Sequence, residues 1–130
     1  MGKYGEAAVH ATGFLASQID CPNEAWRKAV SEVFPESVSS QKKSCPKSAY
    51  LGLCEAGVIA GVPKGDYTRS TDNKRYALEA MSILVSSPVL ATDHKTLWSK
   101  TSGADKKHNG QMDVVTSLWL AGLLVNSTVG

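Results

Sequence analysis

Between Cys45 and Val62 the chain reads Cys-Pro-Lys-Ser-Ala-Tyr-Leu-Gly-Leu-Cys-Glu-Ala-Gly-Val-Ile-Ala-Gly-Val. Its first half predicts a helix over about 46–56 that is apolar on every side except at Glu55. Pro46 suits a first-turn position, where its fixed φ helps and its missing N–H costs nothing, with Ser44 or Cys45 as the N-cap. Gly57 can take the left-handed conformation that closes a helix, letting Val58 and Ile59 fold back on the last turn. Ala49, Tyr50, Leu51, Leu53, Cys54 and Ala56 point in all directions, the pattern of a helix surrounded by protein. Gly52 is disfavoured by roughly 1 kcal/mol relative to alanine inside a helix. Its presence there implies close approach of a neighbouring helix.

Both ends of this segment recur. Cys21-Pro22-Asn23-Glu24-Ala25-Trp26 repeats the Cys-Pro start, the alanine and the aromatic of 45–50. Leu118-Trp119-Leu120-Ala121-Gly122-Leu123-Leu124 repeats the stop of 53–59. Two short matches make no repeat array; they are the same start and stop chemistry used twice.

The remaining helices follow from spacing. Tyr4, Ala8, Ala11, Leu15 and Ile19 form a stripe within 4–19, widened by Ala7 and Phe14. Trp26, Ala29, Val30, Val33 and Phe34 form another from Pro22 to Phe34, ended by Pro35. A helix capped by Thr71 or Asp72 carries Tyr76, Ala77, Ala80, Met81, Ile83 and Leu84 inward, and Ser-Ser-Pro stops it. A short helix at about Asp93–Lys100 presents Leu97 and Trp98. The last, at about Gln111–Ala121, turns Met112, Val115, Leu118 and Trp119 inward. No segment alternates at period two, so strands are limited to short pairs within loops. The expected fold is all-α, an orthogonal bundle of five or six helices around 46–56. The 130 residues fit one domain, 1–130, with polar loops at about 35–45, 58–72 and 101–110.

Composition narrows the function classes. The best apolar run falls short of the roughly 20 residues of a membrane span, and the N-terminus lacks a signal-peptide core, which predicts a cytoplasmic protein without membrane contact. Three cysteines with no Cys-x-x-Cys pair fit neither a disulfide framework nor a zinc site, and read as buried, reduced thiols. No metal and no cofactor is expected. Residues 1–41 hold three basic and five acidic side chains, 42–130 eleven and seven. The excess positive charge falls in three groups: Lys42, Lys43 and Lys47; Lys64, Arg69, Lys74 and Arg75; and Lys100, Lys106, Lys107 and His108. Joined in space, they would suit an acidic partner or a nucleic-acid backbone.

Glu55 is the first candidate for chemistry. A carboxylate near the C-terminal end of a helix meets the negative end of the dipole and needs a cation or hydrogen bonds to offset it. Either it pairs with a lysine or arginine and fixes packing, or it lies unpaired in a cleft with a raised pKa. Lys47, in the first turn of the same helix, could hold an anion against the free N–H groups there. Tyr67, Asn73 and Lys74 flank the long loop, while Asn109, Gln111 and Asp113 gather at the start of the last helix, more polar groups than capping needs. Together these eight residues form one candidate polar site. Phosphate-loop, nucleophile-elbow and zincin patterns are absent. A helix-turn-helix is disfavoured by Gly61, Pro63 and Gly65 where a recognition helix would begin.

Three strings carry a resemblance: Cys45-Pro46-Lys47 through Leu51-Gly52-Leu53-Cys54-Glu55, Asn73-Lys74-Arg75-Tyr76-Ala77-Leu78, and Asn109-Gly110-Gln111-Met112-Asp113-Val114-Val115 followed by Leu118-Trp119. From about Tyr4 to Leu124 the chain resembles a small bacterial family known only as a domain of unknown function. The resemblance implies no activity. The leading expectation is a binding or regulatory protein of inhibitor or immunity type whose partner is another protein. A small-ligand binder or enzyme using the Glu55 cleft, and a nucleic-acid-binding domain using the basic loops, are the alternatives.

Overall fold

Glycine-closed helices and short polar connections produce an all-α fold in the computed structural model, which describes residues 2–125. In chain order the helices are α1 (Lys3–Ser17), α2 (Pro22–Val33), α3 (Val38–Gln41), α4 (Ser44–Glu55), α5 (Thr71–Ser86), α6 (His94–Ser99) and α7 (Gln111–Leu120). Six of them exceed one turn, as expected from the apolar spacing, and a 3-10 turn at Pro88–Thr92 joins α5 to α6. Among the described residues there is no named strand. The one β-bridge pairs Ile59 with Leu124 in antiparallel sense.

That bridge joins the two matching helix stops. Gly57 (φ 75°) and Gly122 (φ 73°) both adopt the left-handed conformation. In each stop the glycine and the next residue donate back into the last turn: Gly57 to Cys54 and Val58 to Leu53, and Gly122 to Trp119 and Leu123 to Leu118. The two chains then leave side by side, with Ala60 N–H on Leu123 O and Val125 N–H on Val58 O. The repeated stop therefore ties the end of α4 to the end of α7.

α4 buries Pro46 and all of Ala49–Cys54. Gly52 lies against the backbone of α5: a β-carbon there would stand 2.7 Å from Lys74 Cα and 2.6 Å from its Cβ. The close approach expected from Gly52 is thus a contact with α5. Beneath α4, Tyr50 stacks on Trp26 of α2 with ring centroids 5.3 Å apart. Its hydroxyl meets Thr12 Oγ1 at 2.9 Å, and Thr12 in turn donates to Ala8 O. Buried alanines on α1 and α2 (Ala7, Ala8, Ala11, Ala25, Ala29) let those two helices lie close.

Several local expectations are corrected. Residues 38–41 of the expected 35–45 loop form a helical turn because Ser37 Oγ accepts the Ser40 N–H; a single turn needs a cap and no apolar period. α4 begins at Ser44, so Lys43 stands in the N-cap position instead of Ser44 or Cys45, without a side-chain bond. Ser70, one residue before the expected caps Thr71 and Asp72, caps α5 by accepting the Asn73 N–H; the loop expected at 58–72 therefore ends at Ser70. α7 is buried from Gln111 through Leu118, so it is enclosed as fully as α4, whereas Trp119, expected inward, is half-buried. All three thiols are free, but only Cys54 is buried and the other two are half-buried. Burial pushes the Cys54 thiol up to about 12.

Candidate functional site

The Glu55 carboxylate is paired. Oε2 lies 2.7 Å from Lys74 Nζ, and Oε1 accepts the backbone N–H groups of Tyr67 at 2.8 Å and Thr68 at 3.2 Å. The geometry follows from Gly52: with no side chain between α4 and α5, Lys74 reaches across one turn later. Hydrogen bonding to Lys74 and to the Tyr67 amide holds the carboxyl below its ordinary value. Asn23 of α2 secures the same loop by donating from Nδ2 to Tyr67 O at 3.1 Å. Glu55 therefore joins α4, the long loop and α5, and offsets its unfavourable place at a helix C-terminus with an ammonium and two N–H donors.

Glu55→Ala is expected to cost about 2 kcal/mol, since charge-assisted bonds to partly buried partners are lost; urea unfolding measures it. The lowered pKa fixes the sign of the acid response. The stabilisation is full above the ordinary glutamate value of 4.5 and is lost as pH falls through the lowered folded value. Glu55→Gln should flatten that limb of the stability profile.

The other candidate residues form separate clusters. Asn73 Oδ1 accepts from Gln111 Nε2 at 3.1 Å, while Gln111 Oε1 accepts the Asn109 N–H at 2.7 Å, so these three tie α5 to the start of α7. Lys43 Nζ reaches Asn109 Oδ1 at 3.4 Å. Asp113 serves a different helix: its two oxygens accept the N–H groups of Gly2 and Gly5, each at 2.8 Å, and Oδ1 also takes the Ser117 hydroxyl at 3.3 Å. Asp113 is thus the N-terminal cap of α1, supplied from α7. For α7 itself the side-chain acceptor is His108, whose Nε2 takes the Met112 N–H at 3.3 Å. Burial, then the neighbouring His94, lowers the His108 pKa, with Asp113 opposing, which keeps the ring in the neutral form that can accept. None of Asn109, Gln111 and Asp113 caps the helix they begin.

Lys47 does not meet Glu55, from which it is separated by two turns of α4. It borders a cleft of about 450 Å³ between α2, α3 and α4, together with Asn23, Glu24, Trp26, Arg27, Val30, Gln41 and Lys42. On α2 these are the positions 23, 24, 26, 27 and 30, in which 23, 26, 27 and 30 share one helical face and 24 stands at its edge beside 27. Three cations stand against one carboxylate, Glu24, which pairs with Arg27. Sequence reasoning singled out Lys47 and the Lys42 group but read Trp26 as core only. Nothing in the pattern shows that α3, a turn with no apolar period, would close the third wall.

The second and third basic groups do meet, at Asp72: Arg75 lies 3.1 Å and Lys106 3.8 Å from its carboxylate. Lys106 also sits over the Tyr76 ring. Among the described residues no three His, Cys, Asp or Glu side chains gather as a metal ion would require, and no helix is long and apolar enough to cross a membrane.

A family model described as a family of unknown function, DUF6979, matches residues 1–125. The chain belongs to that family. No curated protein and no solved structure matches. The family match takes in all three strings that carried the resemblance, as well as α1, α2 and the cleft face of α2.

Proposed function

We propose that this member of DUF6979 is a cytoplasmic binding protein that acts by holding another protein, in the manner of an inhibitor or immunity-type factor, and that the α2–α3–α4 cleft makes the contact. The observation that carries the reading is the division of labour among its polar side chains. Glu55, Lys74, Asn73, Gln111 and Asp113 bond to one another and to backbone groups inside the fold, whereas Lys42 and Lys47 border the open cleft beside the Arg27–Glu24 pair. A surface of this kind recruits acidic partners through its field. Free thiols in all three cysteines suit a reducing compartment.

The test is a pull-down and size-exclusion comparison of the wild-type chain with Lys42→Glu/Lys47→Glu. The wild-type chain should enter a stoichiometric complex with one protein, and the charge-reversed variant should lose it while keeping its melting temperature. Turnover of a small molecule by a chain that captures no partner would contradict the reading. Retention of DNA or RNA that weakens steeply with salt would replace it with a nucleic-acid role.

A further inference from the structure

One residue that borders the cleft carries a group that the fold leaves without a partner. Trp26 is 1% exposed, and its Nε1–H is the one buried side-chain polar atom without a hydrogen-bond partner among the described residues. A buried donor left unmade destabilises a fold. Here it belongs to a residue that borders the α2–α3–α4 cleft, beside Lys42, Lys47 and the Arg27–Glu24 pair.

The two amides in the wall refine the picture. Asn23 Nδ2 donates to Tyr67 O at 3.1 Å and Gln41 Nε2 donates to Phe34 O at 2.7 Å. Each amide is thereby held by its nitrogen, which leaves its carbonyl oxygen as the acceptor available to an incoming group. Cations, one neutral N–H and two amide oxygens do not describe a phosphate site, because the amide oxygens would face a doubly charged anion. They do match a peptide segment, which brings a carboxylate for the lysines and backbone N–H groups for the amides. Val30 supplies an apolar contact for the stem of such a side chain.

We propose that the cleft is the seat of an acidic side chain, Glu or Asp, in an extended segment of the partner protein, with its carboxylate between Lys42 and Lys47 and accepting the Trp26 Nε1–H. This deepens the reading of the cleft as the contact surface and rests on it. The indole nitrogen is covered in the free chain, so seating the carboxylate requires the edge of the ring to open toward the cleft. The apolar stem lies against Val30, and the segment's N–H groups meet Asn23 and Gln41.

The experiment is a two-dimensional ¹H–¹⁵N NMR titration of the full chain with two blocked amino acids, N-acetyl-glutamate N-methylamide and its glutamine counterpart, at constant ionic strength. The Trp26 indole signal, assigned by its loss in Trp26→Phe, should move downfield with the glutamate probe and stay in place with the glutamine probe. Lys42→Gln/Lys47→Gln, at exposed or half-buried positions, should weaken the glutamate probe by roughly a hundredfold, the effect of two lost charge-assisted bonds. Inorganic phosphate should shift lysine-proximal amides without moving the indole signal. Equal responses to both probes, or an indole signal unmoved by the glutamate probe, would overturn the proposal. If the indole fails to respond while the charge-reversed variant still loses the protein complex, the acidic anchor is wrong and the contact surface stands; if that variant keeps the complex, both are wrong.

Discussion

Asp113→Ala is expected to lower stability by about 3 kcal/mol, the largest effect of any polar substitution in the chain. Asp113 is 8% exposed, and its carboxylate accepts two backbone N–H groups at the start of α1 as well as the Ser117 hydroxyl. Alanine leaves all three donors without an acceptor, two of them at a helix N-terminus whose dipole favours negative charge. Asparagine keeps the shape but retains one oxygen, so Asp113→Asn should cost about half as much. Chemical unfolding of both variants gives the order. Amide exchange should show the Gly5 N–H losing protection in Asp113→Ala, because α1 then loses both carboxylate bonds to α7. Equal stability of the wild-type and alanine forms would mean that α1 is held without this cap.

The second large effect reverses a familiar sign. Glycine to alanine in a helix interior ordinarily gains roughly 1 kcal/mol. Gly52→Ala should instead lose about 2 kcal/mol, because the new methyl group falls within 2.7 Å of Lys74 Cα and Cβ and α5 must shift as a backbone rather than as a side chain. For a chain of this size that is a fall of about 8 °C in melting temperature. The displacement would also lengthen the Lys74–Glu55 pair, so the pH response assigned to Glu55 should weaken in the same variant. A melting temperature equal to or above that of the wild-type chain would show that α4 and α5 are not in backbone contact at Gly52.

Local chemistry was readable from the residues wherever a single backbone rule decides the outcome. Gly57 and Gly122 mark helix ends because the left-handed conformation is open to them, and Pro22 and Pro46 mark first turns. The six longer helices follow from apolar spacing. What could not be read depends on contacts between distant segments. Glu55 demanded compensation on electrostatic grounds, and a lysine or arginine was one stated answer. That the lysine is Lys74 depends on the α4–α5 contact at Gly52, which no spacing rule gives. Asp113 illustrates the same limit: its first-turn position explains a carboxylate, but its work on α1 needs the docking of two helices more than a hundred residues apart. The burial of Gln111, Thr116 and Ser117 made α7 look amphipathic when it is enclosed. The eight candidate polar residues fall in four places, because residues that share a helix in sequence reach different neighbours in space. The cleft is not legible in the sequence for a related reason: its walls come from three helices, and one of those is a single turn made by the Ser37 cap.

Hydrogen exchange at the Tyr67 and Thr68 amides, compared between the wild-type chain and Glu55→Gln, tests the central claim most directly: that Glu55 is a structural tie and the open cleft is the working surface. Both amides donate to Glu55 Oε1, and the neutral variant keeps an acceptor of the same shape but loses the ion pair with Lys74. The account predicts faster exchange at Tyr67 and Thr68 in Glu55→Gln, with binding of the protein partner unchanged. Unaltered exchange at both amides together with loss of partner binding would contradict it, and would place the working surface at Glu55.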